Sequence, residues 1–216
     1  MCRDLLMNQW DANSSSVTAL RKAFNTPVAE ATHYYSPFGI VNASFLLGKL
    51  LGIQQENLSL IRTSELSWQQ LANNDVVFVG NEDRYEAALE GMPIRPQLTL
   101  GPRGVRDLHP ASGEPAEFLD QVDPDSGRQN GTAYALVSHI AGPLGTTNVE
   151  VFTSRSSWGY LGAVQWFTDT RLASTLVAKL RRADGHLPEY YQVLLKIEFK
   201  DQVPIQTSFV LSRELH

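Results

Sequence analysis

Polar side chains follow three of the strands that the sequence predicts, at the point where each strand ends. The candidate ligand-binding residues in these turns are Ser36, Phe38, Asn81, Asp83, Arg84, Ser154, Arg155, Ser156 and Trp158. They supply hydroxyl, amide, carboxylate and guanidinium groups beside two aromatic rings, a combination that suits a small polar or anionic ligand. A competing interpretation is that each residue is only a helix cap or part of a solvated turn.

The turn after the third of these strands has the clearest pattern. A β-branched strand at 148–153 ends in the polar sequence Ser154 to Ser157, and a helical run begins at Trp158. Because the first N–H groups of a helix have no partner inside the helix, such a turn favours an anion. Ligands of open parallel sheets bind beyond the carboxyl ends of the strands, so we expect the three turns to line one crevice.

Residues with catalytic or metal-binding spacing are missing from the sequence. It contains no G-x-G-x-x-G fingerprint, P-loop, G-x-S-x-G elbow or H-E-x-x-H motif, and no two histidines have metal-ligand spacing. His139 lies in a predicted strand, where we expect a histidine of the core or its margin. We therefore predict no catalytic residue, no metal and no cofactor. His109, in a long loop, is the alternative that could swing over the crevice as an acid or base.

Composition and charge exclude several classes of protein. The chain has 216 residues, 43% of them hydrophobic and 19% charged, as in an ordinary soluble globular protein. The net charge is −5 and the basic residues are scattered, so no nucleic-acid partner is predicted. The single cysteine, Cys2, excludes a disulfide within the chain, and no apolar run approaches the roughly 18 residues of a membrane span. We expect a cytoplasmic protein with no membrane partner.

Strands and helices alternate along residues 33–89, and this order predicts βαβ units. A strand is predicted at 58–63, and the uninterrupted β-branched run at 75–80 is typical of a central strand in a parallel sheet. Residues 191–200 and 203–213 alternate around a charged tight turn and predict an antiparallel edge hairpin. The predicted fold is a three-layer α/β domain with a mostly parallel sheet, flavodoxin-like or Rossmann-like, closed by this hairpin.

The predicted organisation is an N-terminal arm with a short helix, residues 1–28, followed by a single α/β domain, residues 29–216. Residues 101–131 are rich in Gly, Pro, Asp and Ser, so we predict a long loop there that could act as a lid. Asp169 interrupts a helical pattern and is a good N-cap, which predicts two consecutive helices in place of one.

Three further stretches of the sequence form a recognisable set: Asp75 to Asn81, Tyr134 to Ser138 and Gly162 to Asp169. Together they resemble a C-terminal α/β domain of large acidobacterial signalling and regulatory proteins, and the resemblance covers roughly residues 30–213. In such proteins the domain often follows a winged-helix or other signalling module. The resemblance implies a bacterial protein with a sensing or regulatory role, and it implies no enzymatic residues.

The leading hypothesis is a non-enzymatic, sensor-type domain that binds a polar or anionic small molecule at the carboxyl ends of parallel strands. The second hypothesis is an enzyme of unknown class that acts on a phosphorylated small molecule in the same crevice. The third is a protein-interaction module that forms a homodimer through the N-terminal arm or the edge hairpin.

Overall fold

A computed structural model describes residues 37–53, 57–80, 91–123, 125 and 130–216. The helices in this part of the chain are α1 (Phe38–Leu51), α2 (Trp68–Asn73), α3 (Ser157–Thr168) and α4 (Thr170–Leu180), with a 3-10 helix at Thr63–Glu65. The strands are β1 (Val76–Gly80), β2 (Leu98–Gly101), β3 (Gly104–Asp107), β4 (Glu117–Leu119), β5 (Gln121–Val122), β6 (Gly131–Ala141), β7 (Asn148–Ser154), β8 (Tyr190–Lys200) and β9 (Val203–Leu215).

The main sheet has six strands in the order β1-β7-β6-β8-β9, with β5 paired to the start of β6. Only β1 and β7 are parallel in the described part of this sheet, and every other pair is antiparallel. The prediction of a mostly parallel, flavodoxin-like or Rossmann-like sheet is therefore wrong. The connection between β6 and β7, residues 142–147, is too short for a crossover helix, so these strands must run in opposite directions.

Helices α1, α3 and α4 cover one face of the six-stranded sheet. Their apolar side chains form a core with inward residues of the strands, including Ala135 and Val137 of β6 and Phe152 of β7. Gly162 of α3 permits close packing, because a side chain there would lie 2.9 Å from Ile197 of β8. We call this side of the sheet the helix face.

A small antiparallel sheet, in the order β2-β3-β4, packs on the opposite side of the six-stranded sheet. Its residues Leu98, Val105 and Phe118 are buried against Leu136 of β6 and Leu194 of β8. We call this side the second face. The segment 101–131, predicted as a long loop, instead contains strands β3, β4 and β5. These strands are only two to four residues long, so they produce little periodic pattern in the sequence.

Several local predictions are confirmed and one is wrong. Asp169 caps α4 by accepting hydrogen bonds from the N–H groups of Arg171 (3.0 Å) and Leu172 (2.9 Å), which separates α3 from α4. The C-terminal hairpin is present, and its turn places Asp201 at φ 50° and Gln202 at φ 64°. The strand predicted at 58–63 is not formed among the described residues.

The predicted N-terminal arm at 1–28, the first predicted strand at 33–36 and the predicted helix at 84–89 lie outside the described residues. In the described ranges, no helix is long and apolar enough to cross a membrane.

Candidate functional site

The carboxyl ends of the parallel strands β1 and β7 lie beside the beginnings of two helices. Gly80, the last residue of β1, pairs with Thr153 of β7 and is adjacent to Ile40 of α1. The first turn of α1 contacts the first turn of α3, because Gly39 lies directly against the carbonyl oxygen of Ser157. The structure describes part of each of the three predicted turns, and these parts lie close together at one end of the sheet.

Gly39 is required by this contact between α1 and α3. A side-chain carbon at position 39 would overlap the backbone of Ser157, whereas one at Gly48 of the same helix meets no atom within 4 Å. We expect Gly39→Ala to lower the free energy of unfolding by about 1–3 kcal/mol, because the two helices must separate. The matched variant Gly48→Ala should raise it by up to about 1 kcal/mol, since alanine favours a helix. Urea denaturation of both variants measures these changes, and equal stabilities would contradict the contact.

Two of the predicted ligand residues, Ser154 and Ser156, form hydrogen bonds within the protein. The Ser154 hydroxyl donates to the carbonyl oxygen of Tyr134 on β6 at 2.8 Å, and the N–H of Ser156 donates to the Ser154 oxygen at 3.3 Å. Ser156 is the N-cap of α3, where its hydroxyl oxygen accepts the N–H of Gly159 at 3.2 Å. These serines shape the turn and orient the start of α3.

Arg155, another predicted ligand residue, ties the turn to the small sheet on the second face. Its Nε donates to the carbonyl oxygen of Gly101 at 2.6 Å, and one terminal nitrogen lies 3.4 Å from the carbonyl oxygen of Leu100. The guanidinium of Arg155 keeps its positive charge at any pH at which the protein is folded, so it contributes to the potential at this end of the sheet together with its neighbours.

The aromatic members of the predicted site occupy different environments. Phe38 begins α1 and is 78% exposed. Trp158, in the first turn of α3, packs on Phe199 with ring centroids 5.0 Å apart, and its indole Nε1 is buried without a hydrogen-bond partner. The remaining predicted residues, Ser36, Asn81, Asp83 and Arg84, lie outside the described residues.

Thr153 is a polar residue of this region that was not among the predicted ligand residues. It is only 1% exposed, and its Oγ1 atom is buried without a hydrogen-bond partner. Side chains alternate along β7, so Thr153 is on the second face with Val149 and Val151, and its strand neighbours there are Gly80 and Leu136. A hydroxyl that is enclosed without a partner is energetically unfavourable, and such groups in native proteins call for an explanation.

Asp120 supplies a carboxylate near Arg155. Burial raises the pKa of Asp120 to about 6, while a hydrogen bond from the N–H of Tyr134 and the charge of Arg155 act in the opposite direction. That hydrogen bond is 2.7 Å long, so the carboxyl group is held at the start of β6. Protonation of Asp120 near pH 6 would leave the Arg155 charge less balanced and would increase the positive potential at the strand ends.

A second pair of titratable groups, His139 and Glu150, lies on the helix face toward the other end of β6 and β7. The His139 Nδ1 and the Glu150 Oε2 are 2.7 Å apart, and the Glu150 Oε1 is buried without a partner. The imidazole stacks on Tyr191 with ring centroids 5.3 Å apart. The hydrogen bond to Glu150 raises the pKa of His139, and the charge of Asp75 adds to this effect.

The His139 pair predicts a pH dependence of stability with a definite sign. Because the pKa of His139 is higher in the folded state than in the unfolded state, the protonated imidazole stabilises the fold. This contribution is complete at pH values below the unfolded pKa of about 6.5, and it is lost as the pH rises through the folded pKa. We expect Glu150→Gln to lower the His139 pKa, measured by NMR titration of its ring protons, and to remove this part of the pH dependence. Glu198→Gln, which neutralises a more exposed carboxylate on β8, should leave the titration unchanged. An unaltered His139 titration in Glu150→Gln would contradict the assignment.

Comparisons of this chain with models of known families, with curated proteins and with solved structures give no match. Among the residues that the structure describes, no three His, Cys, Asp or Glu side chains are arranged to hold a metal ion.

Proposed function

We propose that this domain binds a small polar or anionic molecule at the carboxyl ends of β1 and β7 and acts as a non-enzymatic sensor. The observation that carries this proposal is the hydroxyl of Thr153, which is buried at the strand end without a hydrogen-bond partner. A bound ligand would provide the partner that the protein itself does not supply.

The surroundings of Thr153 favour an anion. Arg155 is two residues further along the chain and contributes a positive charge, while Gly80 presents no side chain next to Thr153. Helix α3 begins at the same end of β7, and its dipole adds positive potential there. Because Oγ1 is enclosed, the residues that cover it must move when a ligand enters.

The proposed role is regulatory because binding would change the packing at a junction of several elements. The turn that follows Thr153 contacts β6 through Ser154, β2 through Arg155 and α1 through Ser157. A ligand that displaces this turn would therefore shift α1 and the small sheet together, which is how a binding event becomes a conformational signal. The resemblance to the acidobacterial signalling domain suggests the same kind of role.

Replacing Thr153 with valine should separate binding from folding. Valine has nearly the shape of threonine and lacks the unpaired hydroxyl, so we expect the ligand-free protein to keep its stability or gain up to about 1 kcal/mol. The same variant should lose the rise in melting temperature that phosphate, sulfate or citrate gives to the wild type. Thermal denaturation with each anion measures both effects, since saturation at about 100 times Kd stabilises by about 2.7 kcal/mol.

Thr147→Val is the matched control for this experiment. Thr147 also has a buried Oγ1 without a partner, but it precedes β7 and is at the opposite end of that strand. This variant should retain the response of the wild type to each anion. If no anion stabilises the wild type, or if Thr153→Val responds as the wild type does, the proposed site is wrong.

A further inference from the structure

A groove on the second face lies between strand β4 and the hairpin formed by β8 and β9. Its volume is about 570 Å³. The residues that line it come from four strands of the six-stranded sheet, β5, β6, β8 and β9, and from the segment around β4, and they include Glu117, Phe118, Leu119, Tyr134 and Lys196. The small sheet therefore covers only part of the second face, and the groove lies where a further strand would be added.

Strand β4 is the outer strand of the small sheet, and its register shows which backbone groups point into the groove. Phe118 pairs with Val105 of β3. On either side of this pair, the carbonyl oxygen of Ala116 accepts the N–H of Asp107, and the N–H of Asp120 donates to the carbonyl oxygen of Arg103. Glu117 and Leu119 alternate with these residues, so their N–H and C=O groups point outward. Among the described residues, none forms a backbone hydrogen bond with Glu117 or Leu119 on that side.

The floor of the groove combines aromatic and charged groups. The rings of Phe118 and Tyr134 have centroids 5.7 Å apart. Beside them the Lys196 Nζ lies 3.3 Å from the Glu198 Oε1, and the Lys196 side chain is 38% exposed. An exposed ion pair of this kind is weak, so a carboxylate in the groove can compete with Glu198 for the lysine.

We propose that this groove binds an extended peptide segment of a partner protein, which adds to β4 as a fourth strand of the small sheet. The outward N–H and C=O groups of Glu117 and Leu119 would bond its main chain. Alternate side chains would face the floor, with an apolar residue on Phe118 and Tyr134 and an acidic residue at Lys196. Strand addition of this kind obtains affinity from main-chain bonds and specificity from alternate side-chain positions.

The groove is separate from the proposed small-molecule site. Thr153 is not among the residues that line the groove, and the small-molecule site lies at the ends of β1 and β7. An extended chain suits the groove better than a compact ligand because the groove follows a strand edge. An unpaired strand edge is also a surface on which another chain can form a strand, as occurs in protein association and aggregation.

The test uses the full chain and fluorescent heptapeptides that alternate valine and threonine, with one glutamate placed at each position in turn. Fluorescence anisotropy should show saturable binding by the wild type for at least one position of the glutamate. Lys196→Glu should weaken that binding about tenfold or more, because the acidic residue then faces a like charge. Lys49→Glu makes the same charge change in the last turn of α1, away from the residues that line the groove, and should alter the affinity less than about twofold.

Leu119→Pro tests the main-chain bonds directly. Proline removes an N–H that points outward and leaves the bonds from β4 to β3 in place, so the fold should persist while the affinity falls about tenfold. Amide exchange of Glu117 and Leu119, followed by NMR, should slow when the peptide binds to the wild type. Absence of saturable binding by all the peptides, or equal affinities for the wild type and Lys196→Glu, would overturn the proposal.

Discussion

Replacing Gln192 with leucine is expected to lower the free energy of unfolding by about 3–5 kcal/mol, one of the two largest effects that the structure predicts for a single substitution. Gln192 lies on β8 and is 1% exposed. Its Oε1 accepts the N–H groups of Gln97 and Leu98, each at 2.8 Å. Its Nε2 donates to the carbonyl oxygen of Leu98 and to the Ser138 hydroxyl, each at 2.9 Å.

The size of this effect follows from what leucine would leave behind. Leucine fills nearly the same space, but it leaves the N–H and carbonyl groups of Leu98 buried, and the N–H of Gln97 partly buried, without those partners. Each buried group that loses its partner costs about 1–3 kcal/mol. Gln192 therefore fastens the small sheet to the six-stranded sheet.

Urea denaturation of Gln192→Leu against Gln206→Leu measures this contribution. Gln206 lies on β9 and is exposed, so its replacement should change the stability by no more than about 0.5 kcal/mol. Similar stabilities of the two variants would contradict the role assigned to Gln192.

Arg213→Met is the second substitution for which we expect a large effect, a loss of about 3–4 kcal/mol. One terminal nitrogen of Arg213, on β9, donates to the Asp107 Oδ2 at 2.6 Å and to the Glu114 Oε2. The Asp107 side chain is fully buried. Removing the arginine leaves the Asp107 carboxylate in a buried position without its cation, which costs more than the ion pair contributes in the intact protein.

A double-mutant cycle with Asp107→Asn identifies the cause. If the buried carboxylate is responsible, Arg213→Met should cost much less when residue 107 is already an uncharged asparagine. The pair between Arg106 and Glu117 is the control, because its side chains are about half exposed and Arg106→Met should cost no more than about 1 kcal/mol. Additive effects of Arg213→Met and Asp107→Asn would contradict the prediction.

Local features of the fold could be predicted from the sequence because local chemistry determines them. Asp169 stops one helix and starts the next through hydrogen bonds to residues two and three positions away. The turn at Asp201 and Gln202 is likewise set by neighbouring residues. Strand direction depends on pairing between distant segments, so the β-branched run of β1 was compatible with both parallel and antiparallel neighbours.

The small sheet and its attachment are consequences of distant contacts. Strands β3 and β4 hold only a few apolar side chains, such as Val105 and Phe118, and these become a core only when β6 and β8 lie beneath them. The bonds of Gln192 join residues 94 and 95 positions apart, and no sequence pattern predicts such a contact. The mostly polar composition of 101–131 therefore predicts a loop, although the segment forms strands.

The sequence shows polar residues in the turn after β7, and it does not show which atoms their side chains bond. Ser154 and Ser156 have the hydroxyl groups expected of a ligand site, yet both use them within the turn. Alternation with Val149 and Val151 indicates which face of the sheet holds Thr153. Its neighbours there, Gly80 and Leu136, come from strands far apart in the sequence, so no local pattern predicts the surroundings of its hydroxyl group.

A crystal structure of the protein with the anion that raises its melting temperature most tests directly whether an anion binds at Thr153. We predict an oxygen atom of that anion within about 3.2 Å of the Thr153 Oγ1. The turn from Ser154 to Ser157 should be displaced relative to the ligand-free protein. An anion bound elsewhere, with the Thr153 hydroxyl still enclosed and unpaired, would contradict the account.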